Sequence, residues 1–228
     1  MPLQEFVTRP VVEAEASHRQ ATSGVVFCIA YRHPDAATST SDMAARASVK
    51  DDLMKPACWG LDEARAQAQR LLARQDRRRL TRQLVTVMSS SNPEQRVRAA
   101  DVAHRISERD IDFLAPHAAE LASILADTPI AESRTRWHLG LVAARSARTP
   151  QQIRLAAAIL WQLAEDKSNV VRCSAVEGLG LLARRDPSLR STVEPFLHQA
   201  LLTGTPAMRV RARNALCWLQ SNAAKKRR

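Results

Sequence analysis

Over roughly the last three quarters of the chain, apolar and polar positions recur with a helical period, and they do so several times in one register. In Val171-Arg172-Cys173-Ser174-Ala175-Val176-Glu177-Gly178-Leu179-Gly180-Leu181-Leu182, the residues Val171, Ala175, Leu179 and Leu182 share one stripe of a helix, with Arg172 beside it. Met208 through Leu219 overlays this segment without a gap. So do Gln95 through Ile106, Thr135 through Ser146 and, more faintly, Ala64 through Gln75. Five copies of one helix pattern predict a repeat protein.

The period predicts helices over 62–74, 77–89, 94–108, 111–126, 130–147, 150–165, 168–184, 188–203 and 206–221. Several starts carry an N-cap residue followed by proline: Asn92-Pro93, Thr128-Pro129, Thr149-Pro150, Asp186-Pro187 and Thr205-Pro206. Proline there loses no hydrogen bond, and its fixed φ suits the helix. Arg96, Arg136, Arg172 and Arg209 follow one another at intervals of 40, 36 and 37 residues, within the range of stacked helix pairs, and Arg65 precedes them by 31. The second helix of each pair has its own apolar series: Leu121, Ile124 and Leu125, then Ile159, Leu160 and Leu163, then Phe196, Leu197 and Leu201. Pro116 and Pro195 fall early in two of these helices, marking either a kink or the true first turn. Gly178 and Gly180 sit mid-helix at about 1 kcal/mol each relative to Ala, so close helix approach is their expected purpose.

Residues 1–60 carry no helical period. Val25 to Tyr31 would make a lone strand, and a strand without a partner cannot satisfy its backbone. This segment therefore reads as disordered or loosely packed. Met43 opens a more helix-like stretch to Met54 and is a second candidate start. The chain divides into an N-terminal extension over 1–60, a repeat domain over 61–221 and a basic tail over 222–228.

Composition agrees with helices and adds charge. Aromatics are 4% of the chain, which favours helices packed through small and aliphatic side chains over a β-sandwich. The net charge of +11 is uneven, at −1 over 1–60, +4 over 61–90, −1 over 91–166 and +9 over 167–228. Basic ends attract phosphate backbones, anionic surfaces or acidic proteins. Cys28, Cys58, Cys173 and Cys217 lack CxxC or zinc-finger spacing, which reads as a reducing compartment. No stretch reaches the ~18 apolar residues of a membrane span. The expected location is the cytoplasm.

On the residues just described, 62–221 resembles HEAT repeats of the short bacterial kind shared with the phycobilisome lyase-like group. The resemblance rests on the aliphatic-Arg pair Val171-Arg172, the small residue Ala175 and the apolar Leu179 to Leu182. Pro195 before Phe196-Leu197, as an opening of the second helix, adds to it. It covers about seventy per cent of the chain. Leu139 in place of the small residue, and Gln95 and Thr135 in place of the aliphatic, depart from the pattern. The resemblance implies an all-α solenoid of about four and a half helix pairs that binds another protein without catalysis. It also implies that Arg96, Arg136, Arg172 and Arg209 form a structural ladder, with Asp101, Asp127, Asp166 and Asp186 as candidate partners.

Beyond the repeat, the extra cations are the candidate anion- or partner-binding residues: Arg77, Arg78, Arg79 and Arg82 at one end, and Arg211, Arg213, Lys225, Lys226, Arg227 and Arg228 at the other. They support an alternative reading as a nucleic-acid backbone binder similar to the DNA alkylation repeat proteins. That chemistry needs a carboxylate beside aromatics, and no acid accompanies Trp137, Trp161 or Trp218 in a recognisable pattern. A lyase-like enzyme, implied by the second family label, is a minor alternative. Glu194 with His198 and His117 with Glu120 lack the doubled-His spacing of a zinc helix, and six glycines leave little for phosphate loops. No metal, cofactor or catalytic residue is expected.

Overall fold

The computed structural model describes residues 48–225, and side chains as far as Ser221. Within them lie ten α-helices and no strand: α1 (Val49–Met54), α2 (Leu61–Ala73), α3 (Arg77–Met88), α4 (Pro93–Arg109), α5 (Ala118–Asp127), α6 (Ser133–Ser146), α7 (Pro150–Ala164), α8 (Asn169–Arg185), α9 (Arg190–Thr203) and α10 (Pro206–Lys225). Short 3-10 turns, Ala115–His117 and Pro187–Leu189, lead into α5 and α9. The expected strand at Val25 to Tyr31 lies outside the described residues, as do Lys226, Arg227 and Arg228.

The helices that bear the repeated pattern form one layer, in which α2 packs on α4, α4 on α6, α6 on α8 and α8 on α10. The helices between them form the second, where α5 packs on α7, and α6 to α10 each also rest on their sequence neighbours. Contacts therefore run in chain order, as in an array whose rungs each bury a face on the next. The apolar stripe is the reason: Val171, Ala175, Leu179 and Leu182 are each 0% exposed. Small residues bring the rungs close. A Cβ built on Gly180 would lie 2.5 Å from that of Ala215, and one on Gly178 would lie 2.9 Å from a Leu160 methyl. Close approach of helices is thus what both glycines provide.

Several helix starts follow the predicted chemistry. Asn92 accepts from the Glu94 and Gln95 amides at 2.8 and 3.2 Å, and Thr149 with Gln152 closes a reciprocal capping box. Thr128-Pro129 does not start a helix. The Thr128 hydroxyl donates backward to the Ile124 carbonyl at 2.7 Å, Pro129 to Glu132 forms a turn, and α6 begins at Ser133. The helix predicted from 111 begins later for a similar reason. The Asp110 carboxylate accepts from the Asp112 and Phe113 amides at 3.1 Å and holds a corner before the 3-10 turn that contains Pro116. Pro195 opens no helix and lies inside α9.

The packed array also begins earlier than residue 61. Val49 and Leu53 of α1 are each 1% exposed, and the guanidinium of Arg98 donates to the carbonyls of Leu53 and Pro56 at 2.9 and 3.0 Å. Trp59 lies under that guanidinium, 5.1 Å from ring centre, and donates to Asp101 at 3.3 Å. Residues 48–60 therefore belong to the array rather than to a loose extension.

Candidate partner-binding surface

The rung arginines hold loops and neighbouring rungs. Arg96 donates to both carboxylate oxygens of Glu132, just before α6, and to the Ser90 carbonyl six residues back. Hydrogen bonding to Glu132 raises its pKa further. Arg136 pairs with Asp166, which is 3% exposed and precedes α8. Arg172 repeats the six-back bond, to the Asp166 carbonyl at 2.9 Å, and also meets Asn169. Of the acids proposed as partners only Asp166 serves; Glu132 takes the place expected for Asp101 or Asp127. Arg209, on the last rung, is exposed and makes no ion pair among the described residues.

A second set of arginines works at the opposite helix ends. Arg185 donates to the Ala144 and Ala147 carbonyls at 2.7 and 2.9 Å, and Arg148 to those of Arg145 at 2.7 Å and Ile111 at 2.9 Å. The Ala144, Arg145 and Ala147 carbonyls lie at the negative end of α6, where a cation is favourable, and that of Ile111 lies in the turn after α4. Burial nonetheless pulls the Arg185 pKa down. Across the first layer runs a further chain: Arg145 meets Glu108 at 3.9 Å and Glu177 at 3.0 Å, and Glu177 meets Arg211 at 3.3 Å. Arg211, expected as an anion-binding residue, is thus engaged within the array. Arg213 is exposed, and Lys225 is the last residue of α10.

The arginines of α3 are differently placed. Arg77 is engaged, pairing with Asp110 and lying over the Phe113 ring at 5.0 Å; the bond from Arg77 holds the Asp110 carboxyl below its ordinary range. Arg78 and Arg82 are exposed and make no ion pair among the described residues. They form a wall shared by two clefts. One, of about 560 Å³, lies between α1 and α3 and includes Lys50, Arg79, Gln83, Thr86 and Val87; the other, of about 530 Å³, includes Arg77, Phe113 and His117. The local sequence increases the positive potential. Three arginines occupy the first turn of α3, where none of the residues is acidic. Its N-cap residue, Asp76, makes no capping bond, because Arg74 holds its carboxylate at 3.1 and 3.0 Å. The sequence gives no signal for Lys50, because the six residues of α1 are too few to show a period.

One buried polar group carries no signal in the sequence. The Nδ1 atoms of His104 (α4) and His138 (α6) lie 2.9 Å apart, both rings are at most 3% exposed, and Trp137 stacks on His138 at 4.3 Å. At that distance one ring donates and the other accepts. If His138 accepts, its remaining proton faces Asp101, 3.7 Å away and 2% exposed. Burial and neighbouring arginines lower the His104 pKa to about 2. Burial lowers that of His138 to about 4, against the pull of Asp101. Asp101 does stand beside Trp59, but both Asp101 and the histidines are buried, so the group packs α4 against α6 rather than facing a ligand. Trp137, Trp161 and Trp218 each pack against the core. Among the described residues no cluster of three or more His, Cys, Asp and Glu is placed to hold a metal, and no helix is long and apolar enough to cross a membrane.

Compared with family models, curated proteins and solved structures, the chain matches none.

Proposed function

We propose that this chain is a non-catalytic helical-repeat scaffold, of the HEAT kind its sequence resembles, that recruits another protein in the cytoplasm. The observation that carries the reading is how the charged groups are used. Arg96, Arg136, Arg145, Arg148 and Arg185 tie rung to rung or helix end to helix end, so the array is braced as a rigid support. Among the described residues, exposed cations remain at both ends of the stack, Arg78 and Arg82 on α3 and Arg209 and Arg213 on α10, where they are available for recognition. A braced support with recognition groups at its ends suits recruitment, in which geometry and electrostatics select the partner.

The test is capture from the native cell with the full chain as bait, followed by reconstitution with the purified captured protein. A defined complex that survives nuclease treatment is the expected result. A complex that dissolves on nuclease treatment would replace this reading with the nucleic-acid one. Exposed Arg209 and Arg213 on α10 favour that second reading, and its signature is gel retardation that falls steeply with salt.

A further inference from the structure

Resting on the scaffold reading, we infer that the α3 face carrying Arg78 and Arg82 docks an acidic peptide segment of the partner, seated in the cleft between α1 and α3. Charge complementarity is the first argument. Lys50, Arg78, Arg79 and Arg82 line this cleft, and no acidic residue does among the described residues. Arg78 and Arg82 are one turn apart on one helix face, so carboxylates about 5–6 Å apart would meet both. By contrast, Arg145 and Arg211 are neutralised by the array's own acids, in the Glu108, Arg145, Glu177 and Arg211 chain.

The second argument is the local cost. Arg78, in the first turn of α3, opposes its macrodipole, and the N-cap carboxylate that would offset it is held by Arg74. A charge that breaks a local rule without an ion pair in the array is one expected to meet a counter-charge from outside.

The third argument separates a peptide from a nucleic-acid strand. In the same wall the side-chain oxygen of Gln83 is buried without a hydrogen-bond donor. Once the half-buried Gln83 side chain turns toward the cleft, a peptide brings backbone N–H groups to this acceptor, whereas a phosphodiester backbone brings only acceptors. Bases, for their part, would find no open ring among the described residues of either cleft: that between α1 and α3 has no aromatic lining, and in the other Phe113 is 3% exposed with Arg77 over its face.

The experiment is fluorescence anisotropy of a labelled glutamate-rich peptide, and separately of labelled oligothymidylate of equal charge, titrated with the full chain. Variants are Arg78→Glu with Arg82→Glu, Arg209→Glu with Arg213→Glu as a control of the same net charge, and Gln83→Leu. The α3 pair should weaken the peptide by about tenfold or more, and the α10 pair should change it far less. Gln83→Leu should weaken the peptide and leave oligothymidylate unmoved. Circular dichroism verifies folding, and Arg78→Gln with Arg82→Gln replaces the reversal if it does not fold. Equal loss from both charge pairs, tighter binding of oligothymidylate, or no peptide binding would each overturn the inference. A reconstituted protein complex indifferent to Arg78 and Arg82 would overturn it while leaving the scaffold reading intact; absence of any such complex is the failure of the scaffold reading itself.

Discussion

At the scale of single residues, burial decides what charged and titratable groups do, and the His104–His138 pair gives the clearest consequence. Both imidazoles have folded pKa values, about 2 and about 4, below the 6.5 of the unfolded chain. The folded protein therefore holds both rings neutral at pH values where the unfolded chain is already protonated, and stability falls as pH drops below 6.5. The loss grows for each ring until its folded pKa is reached, so most of it falls between pH 6.5 and about 4. The melting midpoint should be level above neutrality and decline through this window, and His104→Gln with His138→Gln should flatten the decline. Asp110 contributes with the same sign but lower on the scale, since its carboxyl is held below 3.8 and its stabilisation is lost only as pH falls further. A second residue-scale outcome concerns Arg136. Removing it as Arg136→Ala leaves Asp166, 3% exposed, without its ion-pair partner. Breaking a buried pair costs about 3–5 kcal/mol, and denaturant titration should show a loss of that order. A fall of less than about 1 kcal/mol would mean that Asp166 is solvated like a surface acid.

At the scale of elements, the helices were readable because period and caps agree. The Asn92 and Thr149 caps form as their residue types require, and Thr149→Ala should cost about 1 kcal/mol by disrupting the reciprocal box with Gln152. What misled was competition for one side chain. Thr128 has the identity of an N-cap, yet its hydroxyl completes the end of α5, and no sequence rule states which neighbour wins. Asp76 is the same case with the opposite importance. It has the identity of the α3 cap, and Arg74 holds it away. The first turn of α3 is consequently rich in like charge, and Arg78→Glu should stabilise the fold by about 0.3–1 kcal/mol through the helix dipole. A substitution that raises the melting midpoint while weakening the acidic peptide would mark α3 as a helix whose charges serve binding at the expense of stability. If the midpoint falls, Arg78 serves the fold instead.

At the scale of the whole molecule, the repeat was legible because the Ala175 position is buried in every rung, at Ala68, Ala99, Leu139 and Ala212, whereas Gln95 at the Val171 position is half-buried and Gln75 at the Leu182 position is exposed. The start of the array was not legible. α1 has six residues, too few to display a period, and its burial depends on Arg98 and Trp59, which meet only after folding. The candidate surface was half legible for a related reason. Spacing places Arg78 and Arg82 on one face, but only contacts between elements remove Arg77 and Arg211 from the set, through Asp110 and Glu177. Contacts in chain order also carry a prediction about cooperativity. Ala175 is 0% exposed on α8, which packs against both α6 and α10, and Ala175→Asp would bury a carboxylate with no partner placed to receive it. That costs several kcal/mol locally, and in a sequential stack the cost is not shared evenly, because each rung feels only its neighbours. Hydrogen exchange should therefore accelerate in α6 to α10 while α2 and α3 keep most of their protection, since neither packs on α8. Loss of protection by the same factor in every helix would require coupling beyond nearest neighbours, and the sequential stacking that underlies the scaffold reading would then be the wrong description of this fold.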